Sequence, residues 1–251
     1  MTRFYYIKHI LVAAVLSISV ATTFAQYSTG GKLGVNLANL RGSSVQNNSM
    51  LIGYNVGGFF NYSMKDAMSG DIADILSFQA ELHVQTKGAK ADYYFISPLD
   101  PTETIITVED LPQKFTYVDI PILAKFTFST GRRSDLSVFG EAGPFISALF
   151  RVTIDGEVSR DDDQDKQTDP RKFREEYSGF DFGVAAGAGL MYKMPFGGRT
   201  QPWSAIFNVR YSLGFANIGQ YKEKTIDIPE SALEQIQTNT ISIMLGMAYS
   251  F

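Results

Sequence analysis

From Ile241 to the carboxyl terminus the chain alternates without a break. Ile241, Ile243, Leu245, Met247, Tyr249 and Phe251 share one parity, and Ser242, Met244, Gly246, Ala248 and Ser250 the other. Side chains along a strand point to opposite faces in turn, so this segment predicts a strand with one oily face and one small or polar face. About 10 residues of such alternation let a tilted strand cross the hydrocarbon of an outer membrane.

The pattern recurs seven more times. Leu33, Val35 and Leu37 oppose Lys32, Gly34, Asn36 and Ala38. In the second segment, from Leu51, Ile52, Tyr54, Val56, Phe60 and Tyr62 oppose Gly53, Asn55, Gly57 and Asn61. Leu76, Phe78, Ala80, Leu82 and Val84 oppose Ser77, Gln79, Glu81, His83 and Gln85. Val118, Ile120, Ile122, Ala124, Phe126 and Phe128 oppose Asp119, Pro121, Leu123, Lys125 and Thr127. Between Leu136 and Phe150 the even positions are largely apolar, and the odd ones include Ser137, Glu141, Gly143 and Ser147. Phe180, Phe182, Val184, Ala186, Ala188, Leu190 and Tyr192 oppose Asp181 and a run of glycines. Trp203, Ala205, Phe207, Val209, Tyr211, Leu213 and Phe215 oppose Asn208, Arg210, Ser212 and Gly214. Pro121 removes a ladder donor inside its segment and predicts a local break or bulge there.

Connections alternate in length. Gly88 to Lys114, Arg151 to Gly179 and Ala216 to Asn239 read as long loops, while Ser129 to Ser134 and Met194 to Pro202 read as short turns. Long loops on one side and short turns on the other distinguish an outer-membrane barrel from a soluble sandwich, which also alternates. The expected fold is therefore all-β, an eight-stranded antiparallel transmembrane β-barrel with long extracellular loops. An even strand number then places both mature termini in the periplasm. Outward aromatics sort by height: Phe60, Tyr62, Phe78, Phe126, Phe128, Tyr192, Trp203, Tyr249 and Phe251 fall toward the periplasmic rim, and Tyr54, Phe150, Phe182, Tyr211 and Phe215 toward the other. Two such girdles are expected where a barrel meets the membrane interfaces.

The amino terminus agrees with export. Arg3, Lys8 and His9 precede an apolar run from Ile10 to Ala21, and Thr23-Phe24-Ala25 offers a small-residue cleavage site. This predicts a signal peptide over 1–25 and a barrel domain over 26–251. Hydrophobic content is 45% and aromatic content 13%, yet mean hydropathy is only -0.04, because the wall alternates instead of clustering its apolar residues. Cysteine is absent, which removes disulfides and thiolate metal sites. The 22 basic and 26 acidic residues leave a net charge of -4, and nothing in their placement resembles the basic stripe of a nucleic-acid binder.

Lys32-Leu33-Gly34-Val35-Asn36-Leu37, Glu81 to Gly88 (ELHVQTKG), Tyr117 to Lys125 (YVDIPILAK), Gly140-Glu141-Ala142-Gly143-Pro144, Asp181-Phe182-Gly183 through Gly189, and Arg210-Tyr211-Ser212-Leu213-Gly214 follow one another in an order that resembles the PorT-like outer-membrane β-barrel family of Gram-negative bacteria. The resemblance covers essentially all of the mature chain. It implies an outer-membrane location and, because the family is named for a component of protein export through the type IX route, an accessory role in protein secretion. A surface-binding or envelope-stabilising barrel is the alternative, and a small passive pore a further one.

Candidate chemistry is sparse. Interior charges are expected at Lys32, Glu81, Asp119, Lys125, Glu141, Asp181, Lys193 and Arg210. Eight strands leave an interior that side chains can fill, so Glu81, Lys125, Glu141 and Arg210 read as a lumen charge network that plugs the barrel. His83 is the one histidine of the mature chain and reads as a buried, hydrogen-bonded imidazole, so no catalytic residue is assigned and the chain is not read as an enzyme. Asp161-Asp162-Asp163-Gln164-Asp165 begins like a calcium loop, but Lys166 and Lys172 occupy its sixth and twelfth positions, and the run reads as a solvated loop. Pro229 to Ile236 reads as a short helix that packs over the mouth or docks a partner. Gly183, Gly187 and Gly189 lie within a strand, not at a phosphate loop. No cofactor and no metal are expected. Leu245, Met247, Tyr249 and Phe251 read as a signal for the barrel-assembly machinery. The expected partners are that machinery, outer-membrane lipid and lipopolysaccharide, and secretion-system proteins, with no nucleic acid.

Overall fold

In the computed structural model, residues 27–42, 48–65, 67–96, 104–131, 134–154, 157–158, 177–195, 202–219 and 236–251 are described. The leader at 1–25, the acidic run at 161–165 and nearly all of the segment 229–236 lie outside them.

The strands are β1 (Tyr27–Arg41), β2 (Ser49–Ser63), β3 (Leu76–Ile96), β4 (Thr104–Ser129), β5 (Leu136–Ile154), β6 (Glu157–Val158), β7 (Phe180–Lys193), β8 (Trp203–Gly214) and β9 (Gln237–Ser250). A short helix, α1 (Asp71–Ile75), lies between β2 and β3. They form one sheet in the order β4-β3-β2-β1-β9-β8-β7-β5-β6, and β4 also pairs with β5. That last pairing closes the sheet into an antiparallel barrel of eight wall strands, with the two-residue β6 attached to β5. Closure leaves the wall with no unpaired edge, the condition for a sheet to sit in lipid.

The seam joins the two ends of the chain, with Ser28 opposite Ser250 and Arg41 opposite Gln237. Parity sorts the residues as their chemistry requires: Leu33, Ile52, Leu82, Ile122, Phe150 and Leu245 lie exposed on the outer wall, while Lys32, Glu81, Asp119, Asp181 and Arg210 are buried inside. Phe182 and Tyr192 stand on the outer face of one strand. At ~3.3 Å per residue and a tilt of ~40°, that spacing corresponds to an apolar band about 25 Å tall. Near the termini, Trp203 and Tyr249 meet edge to face with centroids 5.0 Å apart, and Tyr27 and Phe60 lie 5.4 Å apart. Near the other rim Phe182 meets Phe180 and Phe215, each at 6.4 Å.

Three expectations need correction. Most of the segment from Gly88 to Lys114 is strand, because β3 runs for 21 residues and β4 for 26. Above Lys90 and Gln113 these two strands continue as a ribbon, with Tyr93 opposite Val108 and Phe95 opposite Ile106. Their β-branched and aromatic composition suits extended backbone, although the two-residue alternation of apolar and polar positions fades there. Pro121 breaks no register: Ala80 pairs Ile122 and His83 pairs Asp119 on either side of it. The shift in the pairing of β4 with β5 falls between Thr116 and Tyr117 instead. A missing N–H costs a ladder bond without changing parity, and Asp119, Pro121 and Leu123 all stay buried on one face. Lys193 ends β7 exposed at the rim, not in the interior, since the inward face has already run out to solvent there.

Candidate functional site in the barrel lumen

Going up β3 from its first residue, the inward side chains are Gln79, Glu81, His83, Gln85, Lys87 and Ala89, all buried. This one strand samples every level of the interior. Below the charges, Phe59, Phe139, Ile206 and Ala248 form an apolar layer with Met191 against it. Above them, Leu40, Ala89, Phe115, Tyr117, Leu149, Val152 and Ile218 form a second, onto which Tyr177 and Ile236 pack. Phe115 and Tyr177 meet edge to face at 4.7 Å. The polar layer is therefore held between two apolar ones.

Arg210 occupies the centre of the lower charge cluster. Its Nη1 and Nη2 donate to the two oxygens of Glu81 at 2.5 and 2.8 Å. Its Nε donates to Glu141 Oε1 at 2.8 Å, and Nη2 also reaches that oxygen. A planar fork with fixed donors suits two carboxylates in a way an ammonium does not. Lys32 Nζ adds a bond to Glu81 Oε1 at 2.8 Å and lies 4.0 Å from Glu141 Oε2. His83 presents Nδ1 to Asn55 Oδ1 at 2.5 Å, and its Nε2 stands 2.9 Å from Glu81 Oε2.

Lys125 does not join this cluster directly. Its Nζ bonds Gln79 Oε1 at 3.4 Å and sits 4.0 Å over the Phe139 ring. Gln79 then donates to Glu81 Oε1 at 2.5 Å, so the amide is its link to the carboxylates.

A second cluster stands above the first. Lys87 Nζ lies 3.1 Å from Asp181 Oδ2 and 3.4 Å from Asp119 Oδ2, and donates to Ser147 Oγ at 3.0 Å. Rings flank it, Phe145 at 4.4 Å and Tyr117 at 4.9 Å. Thr238 donates to Asp181 Oδ2 at 2.7 Å. The two clusters are wired together through amides: Gln85 Nε2 donates to Asp119 Oδ2, Asn55 Nδ2 to Gln85 Oε1 at 3.1 Å, and Asn55 Oδ1 takes His83. Sequence parity alone indicated Asp119 and Asp181 but missed Lys87, which shares the odd-numbered face of Glu81, His83 and Gln85 and directly precedes the segment that reads as a loop from Gly88.

Small residues make room for this packing. A Cβ on Gly57 would stand 2.6 Å from the His83 ring, and one on Gly246 would stand 2.9 Å from Lys32 Cγ. Glycine lets large side chains lie flat across the inner wall.

A closed antiparallel barrel, apolar outside, banded by aromatics and filled with paired charges, is the architecture of a membrane-embedded barrel protein. The chain belongs to the outer membrane protein beta-barrel domain family, whose model matches residues 24–220. Among solved structures it is similar to Neisserial surface protein A, at 11% identity with 91% of this chain and 98% of that chain covered and a TM-score of 0.46. OprG from Pseudomonas aeruginosa gives 12%, 90%, 95% and 0.45 for the same quantities. The outer membrane protease OmpT from Escherichia coli gives 8%, 90%, 97% and 0.38. Likenesses this distant carry no inference about activity, catalysis included. No curated protein matches the sequence.

Proposed function

We propose that this outer-membrane barrel does not conduct solutes and acts as an accessory or binding component of the envelope, with protein secretion as the process implied by its PorT-like segments. The observation that carries the non-conducting reading is the filled interior, in which Arg210 bonds Glu81 and Glu141 between two apolar layers. Ions cross slowly where paired charges and dry apolar layers fill the path. Planar-bilayer recording of the purified barrel should show no steady channel, and large stable openings would favour a pore. His83 contacts Asn55 and Glu81 inside the wall, away from the lipid where an acyl substrate would lie, which supports a non-enzymatic role.

A filled lumen moves function to the surfaces at the two ends. The termini are proposed to face the periplasm, with the β3–β4 ribbon on the outer side. Mild cross-linking in intact envelopes, with identification of the captured proteins, tests the partner directly. Capture of secretion components and loss of secreted cargo in a deletion strain are the results expected. Normal secretion in that strain would remove the export role and leave a surface-binding or envelope-stabilising barrel, which the outward ribbon favours as the second reading.

A further inference from the structure

We infer that the lumen holds a specific water site between its two charge clusters, bonded to Asp119 and enclosed by His83, Arg210, Ser212, Ser242 and Ala185. Buried polar atoms need partners, and an unmet one costs the desolvation of that atom. Asn36 Oδ1, Asp119 Oδ1, Glu141 Oε2, Asp181 Oδ1 and Asn208 Oδ1 are all buried without a hydrogen bond. These five are acceptors, and Arg41 Nε and the Tyr117 and Thr240 hydroxyls are unbonded as well; water, which both donates and accepts, can meet either kind.

Charge decides which donor. Among the described residues, the buried cations Lys32, Lys87, Lys125 and Arg210 oppose the buried carboxylates of Glu81, Asp119, Glu141 and Asp181, four against four. A further cation would unbalance the layer, whereas water donates two protons and carries no charge.

The place is set by geometry. His83 and Asp119 are direct cross-strand partners on β3 and β4, yet their side chains diverge. Asp119 Oδ2 goes to Gln85 and Lys87, His83 Nδ1 to Asn55 and His83 Nε2 toward Glu81, leaving Asp119 Oδ1 without a donor beside the gap between the two residues. That gap is a cavity with about 10 Å³ for the centre of a water-sized molecule, the room one water needs. Ser212 and Ser242 line it from the facing strands, and each hydroxyl can give or accept a bond. Water there gives Asp119 Oδ1 its donor and forms a second link, beside Gln85 and Asn55, between the clusters.

The test uses the full-length barrel in detergent. A high-resolution crystal structure should show one ordered water within about 2.7–3.2 Å of Asp119 Oδ1, and a site without density would overturn the inference. Ala185→Val adds methyl groups to the cavity wall. If the cavity is hydrated the variant expels the water, strands Asp119, and lowers the thermal midpoint of the heat-modifiable band by about 2–6 °C. A dry cavity would instead be filled to advantage, so an unchanged or raised midpoint also counts against the site.

Discussion

Arg210→Ala should destabilise the folded barrel by about 3–5 kcal/mol, the cost of leaving buried carboxylates without their cation. The side chain is 4% exposed while those of Glu81 and Glu141 are fully enclosed, so solvent cannot take its place. Lys32 can still reach Glu81 at 2.8 Å but is 4.0 Å from Glu141. Glu141 is therefore the group that loses most. Arg210→Lys should recover part of the loss, because an ammonium supplies the charge but not the fork. Adding Glu81→Gln and Glu141→Gln to Arg210→Ala should recover more, since the amides remove the unpaired charge. Urea midpoints followed by the heat-modifiable gel shift measure all three, and an Arg210→Ala barrel within 1 kcal/mol of the wild type, on the order of a surface pair, would remove Arg210 from its central place.

Deleting Phe251 should lower the amount of assembled protein in the outer membrane several-fold while leaving synthesis unchanged. Leu245, Met247 and Phe251 are exposed on the wall, and Tyr249 meets Trp203 and Phe251 edge to face at 5.0 and 5.1 Å. The Phe251 amide also donates to Tyr27 O at 3.0 Å, closing the last rung of the β1–β9 seam. The deletion thus removes both the aromatic proposed to be read during assembly and one bond of the closure. Phe251→Ala separates them, because it keeps the amide. Equal folded protein from the truncated and full-length chains would discard the assembly role for this end.

The two-residue period indicated all eight wall strands because lipid enforces it: a residue of the wrong parity would place a charge in hydrocarbon or an oily side chain against paired ions. Strand pairing itself does not require that period. The sequence Ala91-Asp92-Tyr93-Tyr94-Phe95-Ile96 alternates poorly, and it pairs with β4 all the same. A neighbouring glycine hid Lys87, which precedes Gly88, a residue with φ of 137° that reads as a turn. Partners inside the lumen were harder still. Parity says that Arg210 and Glu81 face inward, but β8 and β3 are not neighbours in the sheet, and contacts across a closed interior depend on strand number and shear. Lys125 illustrates the limit: its inward parity is right, and its contacts are an amide and an aromatic ring in place of the carboxylates one strand away.

Arg210 lies 129 residues from Glu81 and 69 from Glu141, while Lys32 lies 49 from Glu81. These side chains come from β8, β3, β5 and β1, strands that no single hairpin brings together. An open, half-formed sheet in the bilayer therefore lacks the pairs that cross the lumen, and each charge left short of a partner costs several kcal/mol in hydrocarbon. Lys32 and Glu81 can meet within β1–β3 and Arg210 and Glu141 within β5–β8, but Arg210 reaches Glu81, and Lys87 reaches Asp181, across the lumen only when β1 meets β9. The pairs that span the lumen thus favour the complete cylinder over an open sheet, which couples the filling of the interior to closure of the wall.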